Sequence, residues 1–208
     1  MVLGPLSACS AGAVKWEVAP GCHGFGVDLS LDDWLPAPQV RTRHERAARA
    51  TPDGLWSAAE TVQVCDAPML GRIVRWRIPE TPRDMPFREL FRRYPFTVLA
   101  EGDHWTASGL CGRIWTLQRD YPRIGSPEEF LAWDTPGTVR VLFAHWIEPA
   151  TDGQAAIVSE SRVQAIDRRA GLRLRALWTL IGRFERLIGA EALRVAARRA
   201  EAGASRSG

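Results

Sequence analysis

The stretch that decides the fold runs from Asp167 to Glu201 and reads DRRAGLRLRALWTLIGRFERLIGAEALRVAARRAE. Its apolar residues recur every three or four positions, which predicts one apolar stripe along an α-helix. The members of this stripe are Leu174, Leu177, Ile181, Phe184, Ile188, Ala192 and Val195. Arginines fill most of the remaining positions. A continuous helix over this range would be about 50 Å long, and its apolar content requires an apolar surface to pack against.

The composition is typical of one globular domain with a full core. The chain has 208 residues, of which 46% are hydrophobic and 25% are charged. Lys15 is the only lysine among 27 basic residues, and the net charge is only +3. The arginines are interspersed with acidic residues, so we expect no nucleic-acid partner. No stretch reaches the roughly 18 apolar residues of a membrane span.

The four cysteines, Cys9, Cys22, Cys65 and Cys111, show no CxxC spacing. No histidine lies at metal-ligand distance from them, so we expect no metal site. Leu6 to Cys9 resembles a lipoprotein cleavage box, but neither a positive charge nor a long apolar run precedes it. We therefore expect reduced thiols and a cytoplasmic location. The sequence contains no phosphate loop, dinucleotide fingerprint or nucleophile elbow, so we do not expect a kinase, a dehydrogenase or a serine hydrolase. We also expect no cofactor.

Local patterns predict the order of the elements that precede the long helix. Thr51-Pro52-Asp53 and Asp66-Ala67-Pro68 are helix-start signals, and alternating or apolar runs predict the strands. The predicted order is an irregular arm over 1–39, a strand over 40–50, two helices ending at Arg77, a hairpin over 96–115 turning at Gly102-Asp103, a short helix from Ser126, strands over 138–148 and 154–167, the long helix, and a disordered tail over 202–208.

This order predicts an α+β fold: an antiparallel sheet with helices gathered on one face. The curved sheet would wrap around the long C-terminal helix, with two short helices after the first strand. The space between sheet and helix then becomes either core or pocket. We expect the domain to span residues 40–201.

Several motifs, taken in this order, resemble the START-like (SRPBCC) superfamily with the helix-grip fold. That superfamily includes Bet v 1 type allergens and aromatic polyketide cyclases. The motifs are His44 with Ala50-Thr51-Pro52, Leu55 to Ala58, Asp66 to Leu70, Phe96 to Glu101, Gly109 to Trp115, Asp134 to Gly137, Ser159 to Val163, and Leu177 to Glu201. The resemblance implies a hydrophobic cavity for a small or lipid-like molecule, in proteins that range from carriers to cyclases and hydrolases. The chain departs from the family pattern at Arg183, Glu185 and Gly189, which stand where proline, serine and a basic residue are expected.

The candidate catalytic residues are His44, His145 and Glu101. His145 shares a strand face with Val139, Val141, Phe143 and Ile147, and His44 shares one with Val40 and Ala48. If both faces are concave, the two imidazoles could act as acid and base in one cavity. The alternative is that each is a core histidine with a structural hydrogen bond. Glu101 and His104 flank the hairpin turn and would either line the pocket rim or be solvated.

Large aromatic side chains supply most of the candidate ligand-binding residues, because the chain has nine tryptophans. The candidates are Trp105, Cys111, Trp115, Phe143, Trp146, Trp178 and Ile181. Aromatic walls suit a flat or polyene-like ligand, although large rings also fill cores. We expect Cys111 not to be a nucleophile, Asp134 to cap a turn, and Glu160 and Arg162 to form a structural pair.

These observations lead to three hypotheses. The first is a cofactor-independent cyclase, dehydratase or isomerase that folds a polyketide-like intermediate of secondary metabolism in its cavity. The second is a non-catalytic binder or carrier of a lipid or terpenoid. The third is an interaction module whose own side chains fill the cavity. The expected partner in the first two is a hydrophobic small molecule, and the expected state is a monomer or homodimer.

Overall fold

The structure, a computed structural model, describes residues 30–116, 121–150 and 154–207, with the backbone alone at 183–188 and 207. The predictions for residues 1–29, which include Cys9, Cys22 and most of the N-terminal arm, lie outside the described residues. So does the predicted turn at residues 151–153.

Seven helices, one 3₁₀ turn and five strands make up the described chain. Their bounds are α1 Leu31–Trp34, β1 Val40–Ala48, α2 Pro52–Glu60, the 3₁₀ turn Val64–Asp66, α3 Pro68–Arg77, α4 Phe87–Leu90, β2 Thr97–Gly102, β3 Trp105–Gly112, α5 Pro127–Ala132, β4 Val139–Pro149, β5 Ala155–Ala165, α6 Arg168–Ile188 and α7 Glu191–Ser207. Two of the predicted helix starts, those of α2 and α5, have capping hydroxyls, whereas Ala67 at the start of α3 provides no side-chain cap. Thr51 Oγ1 accepts from the Gly54 amide at 3.2 Å, and Ser126 Oγ accepts from the Glu129 amide at 3.3 Å.

The five strands form one curved antiparallel sheet in the order β1-β5-β4-β3-β2. The α+β class, the antiparallel sheet and the two helices after the first strand are confirmed. The hairpin turn lies one residue later than predicted, because Gly102 pairs with Trp105 and leaves Asp103 and His104 as the loop.

Helices cover both faces of the sheet rather than one, which corrects the prediction. On the inner face, α2, α3 and α7 pack around a core that contains Leu55 and Ala196. On the outer face, α1 and α5 bury Leu35 and Phe130 against Leu142 and other residues of the central strands. The short sequences of α1 and α5 gave no sign of which face they would cover.

An ion network fixes α1 to the outer face. The buried Arg162 donates from Nε to Glu160 at 2.6 Å and pairs with Asp32 at 2.5 Å. Arg41 donates to the same Glu160 at 3.0 Å. The structure therefore contains the predicted Glu160–Arg162 pair, and the pair joins the N-terminal segment to β5.

The C-terminal segment is two helices, not the single long helix that was predicted. It breaks at Gly189 and Ala190, between α6 and α7, and glycine is a poor helix former. The second helix, α7, continues to Ser207 where a disordered tail was predicted from residue 202. Alanines at positions 202 and 204 favour this continuation. Because of this break, α7 packs against α2 and β1, whereas α6 contacts the sheet at β5.

Candidate functional site

A cavity of about 1130 Å³ separates the inner face of the sheet from α3, α6 and α7. Most of its lining is apolar. Pockets for drug-sized molecules typically measure about 300–1,000 Å³, so this cavity is large enough for a molecule of that class. The space between sheet and helices is thus a pocket over much of its extent rather than a filled core.

Strand register places a polar row across the cavity floor. Ser159 on β5 pairs with His44 on β1 at one side and with His145 on β4 at the other. His145 also pairs with Thr106 on β3. All four line the cavity. Because neighbouring strands are about 4.8 Å apart, the Cα atoms of the two histidines are about 10 Å apart. A ligand that lies across β5 could therefore contact both imidazoles.

A second polar pair lies next to this row, two residues along β1 and β5. The hydroxyls of Thr42 and Ser161 are 2.7 Å apart, so they form a hydrogen bond with each other. Both residues line the cavity. These hydroxyls and Ser159 were not among the predicted site residues. The alternation of Ile157, Ser159, Ser161 and Val163 on one face of β5 is the signal that could have identified them.

Aromatic rings form the wall beside this floor. Phe91 is the central ring: its centroid lies 5.1 Å from that of Phe96, 5.4 Å from that of Phe143 and 4.8 Å from that of His145. Phe96 and Phe143 are in edge contact at 5.6 Å. Rings in these tilted and edge arrangements present apolar faces and edges that suit a flat ligand. Phe91, which follows the short helix α4, was not predicted as a site residue.

His145 has a buried and unsatisfied ring nitrogen. Its Nε2 has no hydrogen-bond partner among the described residues. Burial lowers the pKa of His145 from 6.5 to about 4, because removal from water disfavours the charged imidazolium. The side chain is therefore neutral near pH 7. It can donate or accept one hydrogen bond at each ring nitrogen, but it is a weak proton acceptor.

Exposed apolar side chains from α3 and α6 surround one end of the cavity. Ile73 and Trp76 of α3 and Leu180 of α6 are all exposed and all line the cavity. These two helices contribute residues to the lining without closing over it. An apolar ligand would have an apolar path between them.

Four charged side chains line the cavity among the described residues, and they are Glu60, Arg72, Arg77 and Arg88. Glu60 and Arg88 form an ion pair with each other. Arg77, the last residue of α3, donates to the carbonyls of Thr116 and Ile114 and lies over the ring of Tyr121. Sequence reasoning missed Arg77, because a lone arginine at a helix C-terminus is usually solvated.

The structure brings six of the sequence-predicted site residues to the cavity and four elsewhere. Those that line the cavity are His44, His145, Trp115, Phe143, Trp178 and Ile181. Trp105, Cys111 and Trp146 lie in the outer core instead. Successive residues of a strand point to opposite faces, so Trp146 faces away from the cavity that its neighbour His145 faces.

Cys111 and Glu101 both lie outside the cavity lining. Burial raises the pKa of the Cys111 thiol to about 12, which keeps it protonated in the outer core. Glu101 pairs on the surface with Arg92. His104, its neighbour across the hairpin loop, contacts Asp53 at 2.7 Å. Neither Glu101 nor His104 lines the cavity.

Metal ligands and membrane spans are both absent from the part of the chain that the structure describes. Its residues contain no cluster of three or more His, Cys, Asp or Glu side chains that could hold a metal ion. None of the described helices is long and apolar enough to cross a membrane.

Comparison with known proteins yields distant structural likenesses only. No family model and no curated protein matches the chain. The hypothetical protein jhp0584 of Helicobacter pylori is 7% identical, with 93% of this chain and 99% of that chain covered at a TM-score of 0.37. TTHA0849 of Thermus thermophilus is 13% identical, with 79% and 99% covered at a TM-score of 0.30. The Zhui aromatase/cyclase of a Streptomyces species is 12% identical, with 78% and 93% covered at a TM-score of 0.30. At such TM-scores the overall shapes differ substantially, and the function proposed below rests on the cavity itself.

Proposed function

We propose that this protein binds a hydrophobic small molecule in its internal cavity. The observation that carries the proposal is the combination of about 1130 Å³ of largely apolar space with a short polar row on its floor. Apolar walls with a few placed polar groups are the usual composition of a small-molecule site. In this interpretation the fold is a helix-grip variant in which two helices, α6 and α7, take the place of one.

The aromatic wall and the polar row suggest which kind of molecule fits. Phe91, Phe96 and Phe143 offer ring contacts to a flat or polyene-like body. His145 and Ser159 offer hydrogen bonds to a carbonyl or hydroxyl group that lies on that body. An aromatic or polyketide-like compound combines both features, whereas a saturated lipid would use only the apolar walls.

A second candidate function is catalysis in the same cavity, and the histidine row favours it. A reactive chain held in one folded shape can cyclise, dehydrate or isomerise without a cofactor, because positioning alone removes much of the entropic barrier. His44 would transfer the proton, and neutral His145 would hold a carbonyl by a hydrogen bond. The competing function is that of a carrier, which would release its ligand unchanged.

One experiment separates these functions. Calorimetric titration with a panel of polyenes, sterols and aromatic polyketides would measure binding, and mass spectrometry of the recovered compounds would detect turnover. We expect Ser159→Phe, which places a ring on the cavity floor, to weaken binding roughly 5- to 150-fold, since overpacking of this kind typically costs about 1–3 kcal/mol. Thr179→Phe is the matched control, because Thr179 is exposed on α6 and outside the cavity lining.

Equal weakening by both Phe variants would contradict the cavity as the binding site. Altered compounds that disappear in His44→Gln or His145→Gln, with binding retained, would support catalysis. Unchanged compounds would support a carrier.

A further inference from the structure

The charges of the described residues that line the cavity are not balanced. Four of these residues are charged: Glu60, Arg72, Arg77 and Arg88. Glu60 and Arg88 neutralise each other as an ion pair. Arg72 is exposed to solvent, which screens its charge. Arg77 is half-buried and has no carboxylate partner among the described residues. The cavity therefore contains one poorly solvated positive charge that the described protein does not compensate.

The contacts of Arg77 hold its guanidinium in place without neutralising it. Arg77 Nη1 donates to the Thr116 carbonyl at 2.7 Å, and Nη2 donates to the Ile114 carbonyl at 3.3 Å. Its Cζ lies 5.2 Å from the ring centroid of Tyr121. A guanidinium has five N–H donors, so donors remain after these two hydrogen bonds and the further one with the Tyr121 side chain. A fixed, planar cation with spare donors is the usual partner of a carboxylate.

Among the residues that the structure describes, the surroundings of Arg77 add hydrogen-bond donors and no acidic group. Trp115 lies between the two residues whose carbonyls hold Arg77, and its Nε1 is buried with no partner among the described residues. Indole N–H can only donate. Burial raises the pKa of the Tyr121 phenol, so that hydroxyl keeps its proton. The described residues at this end of the cavity supply several donors and no anionic acceptor.

We propose that the ligand is an amphipathic acid whose carboxylate pairs with Arg77. Its apolar body would extend from Arg77 toward the Phe91 and Phe143 rings and the polar row. This inference rests on the proposed function, because it names the chemical class of the molecule in the same cavity. It assigns Arg77 the role of a specificity-determining residue.

A matched pair of probes tests the charge preference directly. Anthracene-9-carboxylic acid and 9-anthracenemethanol have nearly the same size and shape, and only the acid is anionic at pH 7.5. Isothermal titration calorimetry would measure both with the wild-type chain, Arg77→Gln and the control Arg75→Gln. Arg75 lies on the same helix but outside the cavity lining.

We expect the wild type to bind the acid more tightly than the alcohol. Arg77→Gln should weaken the acid roughly 10- to 100-fold, as expected for loss of hydrogen bonds to a charged group. It should leave the alcohol within about twofold, and Arg75→Gln should leave both probes unchanged. The alcohol also reports on folding, because a variant that distorts the cavity would lose both probes.

Two outcomes would overturn the inference. Equal affinities of the wild type for acid and alcohol would refute it and leave the proposed binding function intact. Equal losses of both probes in Arg77→Gln would show that Arg77 only holds residues 114–116 in place. If the wild type binds neither probe, nor any compound of the larger panel, the proposed function fails together with the inference.

Discussion

His145 illustrates how one titratable side chain with a buried ring nitrogen links the site to the stability of the fold. Its neighbours across the sheet, Ser159 and Thr106, and the Phe91 ring against it do not titrate. Nothing in these contacts compensates a positive charge, so protonation of His145 in the folded state is unfavourable. The pKa in the folded state is about 4, against an ordinary value of 6.5.

This pKa difference predicts a pH dependence with a definite sign. Above pH 6.5 both folded and unfolded chains hold neutral His145, and its contribution to stability is complete. As the pH falls from 6.5 toward 4, the unfolded chain binds the proton first, so the free energy of unfolding decreases. The decrease from this group approaches about 3 kcal/mol. Urea denaturation at several pH values would compare the wild type with His145→Gln.

We expect the stability of the wild type to decline more steeply across this range than that of His145→Gln, which cannot titrate. Contributions that the two proteins share cancel in the difference. Parallel stability profiles would contradict the burial of a neutral His145.

Only some of the residues that line the cavity could be predicted from the sequence, because the prediction depends on which face of a strand each residue occupies. Alternation along Val40 to Ala48 and along Val139 to Ile147 correctly placed His44 and His145 on one face. The same alternation excludes Trp146 from that face, yet its ring size favoured a ligand-binding role. Arg77 depends on contacts with residues 114 and 116, which are distant in sequence. No local pattern reveals such a contact.

At the scale of elements, α3 forms a cavity wall whose position depends on a close backbone contact at Gly71. A Cβ atom at Gly71 would lie 2.2 Å from the Val64 carbonyl oxygen. Gly203 on α7 is the contrasting case, because a Cβ atom there would meet no described atom within 4 Å. Both glycines lie within helices, where alanine is intrinsically preferred.

The two glycines predict opposite effects of the same substitution. Gly71→Ala should destabilise the protein by about 1–3 kcal/mol, because α3 must move away from the 3₁₀ turn. Gly203→Ala should stabilise it by up to about 1 kcal/mol through helix propensity. Chemical denaturation measures both. A stabilising effect of Gly71→Ala would show that α3 does not pack closely on Val64.

The break between α6 and α7 shows why the helical pattern was only partly informative. The apolar stripe from Leu174 to Val195 continues with nearly regular spacing through Gly189, so periodicity alone predicts one helix. The stripe does identify residues that face the cavity, such as Leu177, Ile181 and Ala192. The break itself depends on how α7 packs against α2 and β1, and that packing is not visible in the spacing.

For the whole molecule, the fold class could be predicted from the sequence, whereas the presence of a cavity in place of a filled core could not. The order of strands and helices predicted an α+β antiparallel sheet, which is confirmed. The residues on the two sides of the sheet are nevertheless similar in type, so the sequence does not show which side is filled. The outer core under α1 and α5 is filled by Phe130, Trp105 and Trp146, whereas the inner side, with similar residue types, leaves a cavity. Only the distance between sheet and helices distinguishes a filled core from a pocket.

The central claim is that the cavity binds a hydrophobic small molecule, and native mass spectrometry of the freshly purified chain tests it most directly. We expect a discrete mass above that of the 23.1 kDa polypeptide, which organic extraction removes. Identification of the released compound as a hydrophobic molecule of suitable size would support the claim, and its absence from Ser159→Phe would place it in the cavity. A chain that carries no compound, and that takes up none from the panel of polyenes, sterols and aromatic polyketides, would contradict the claim.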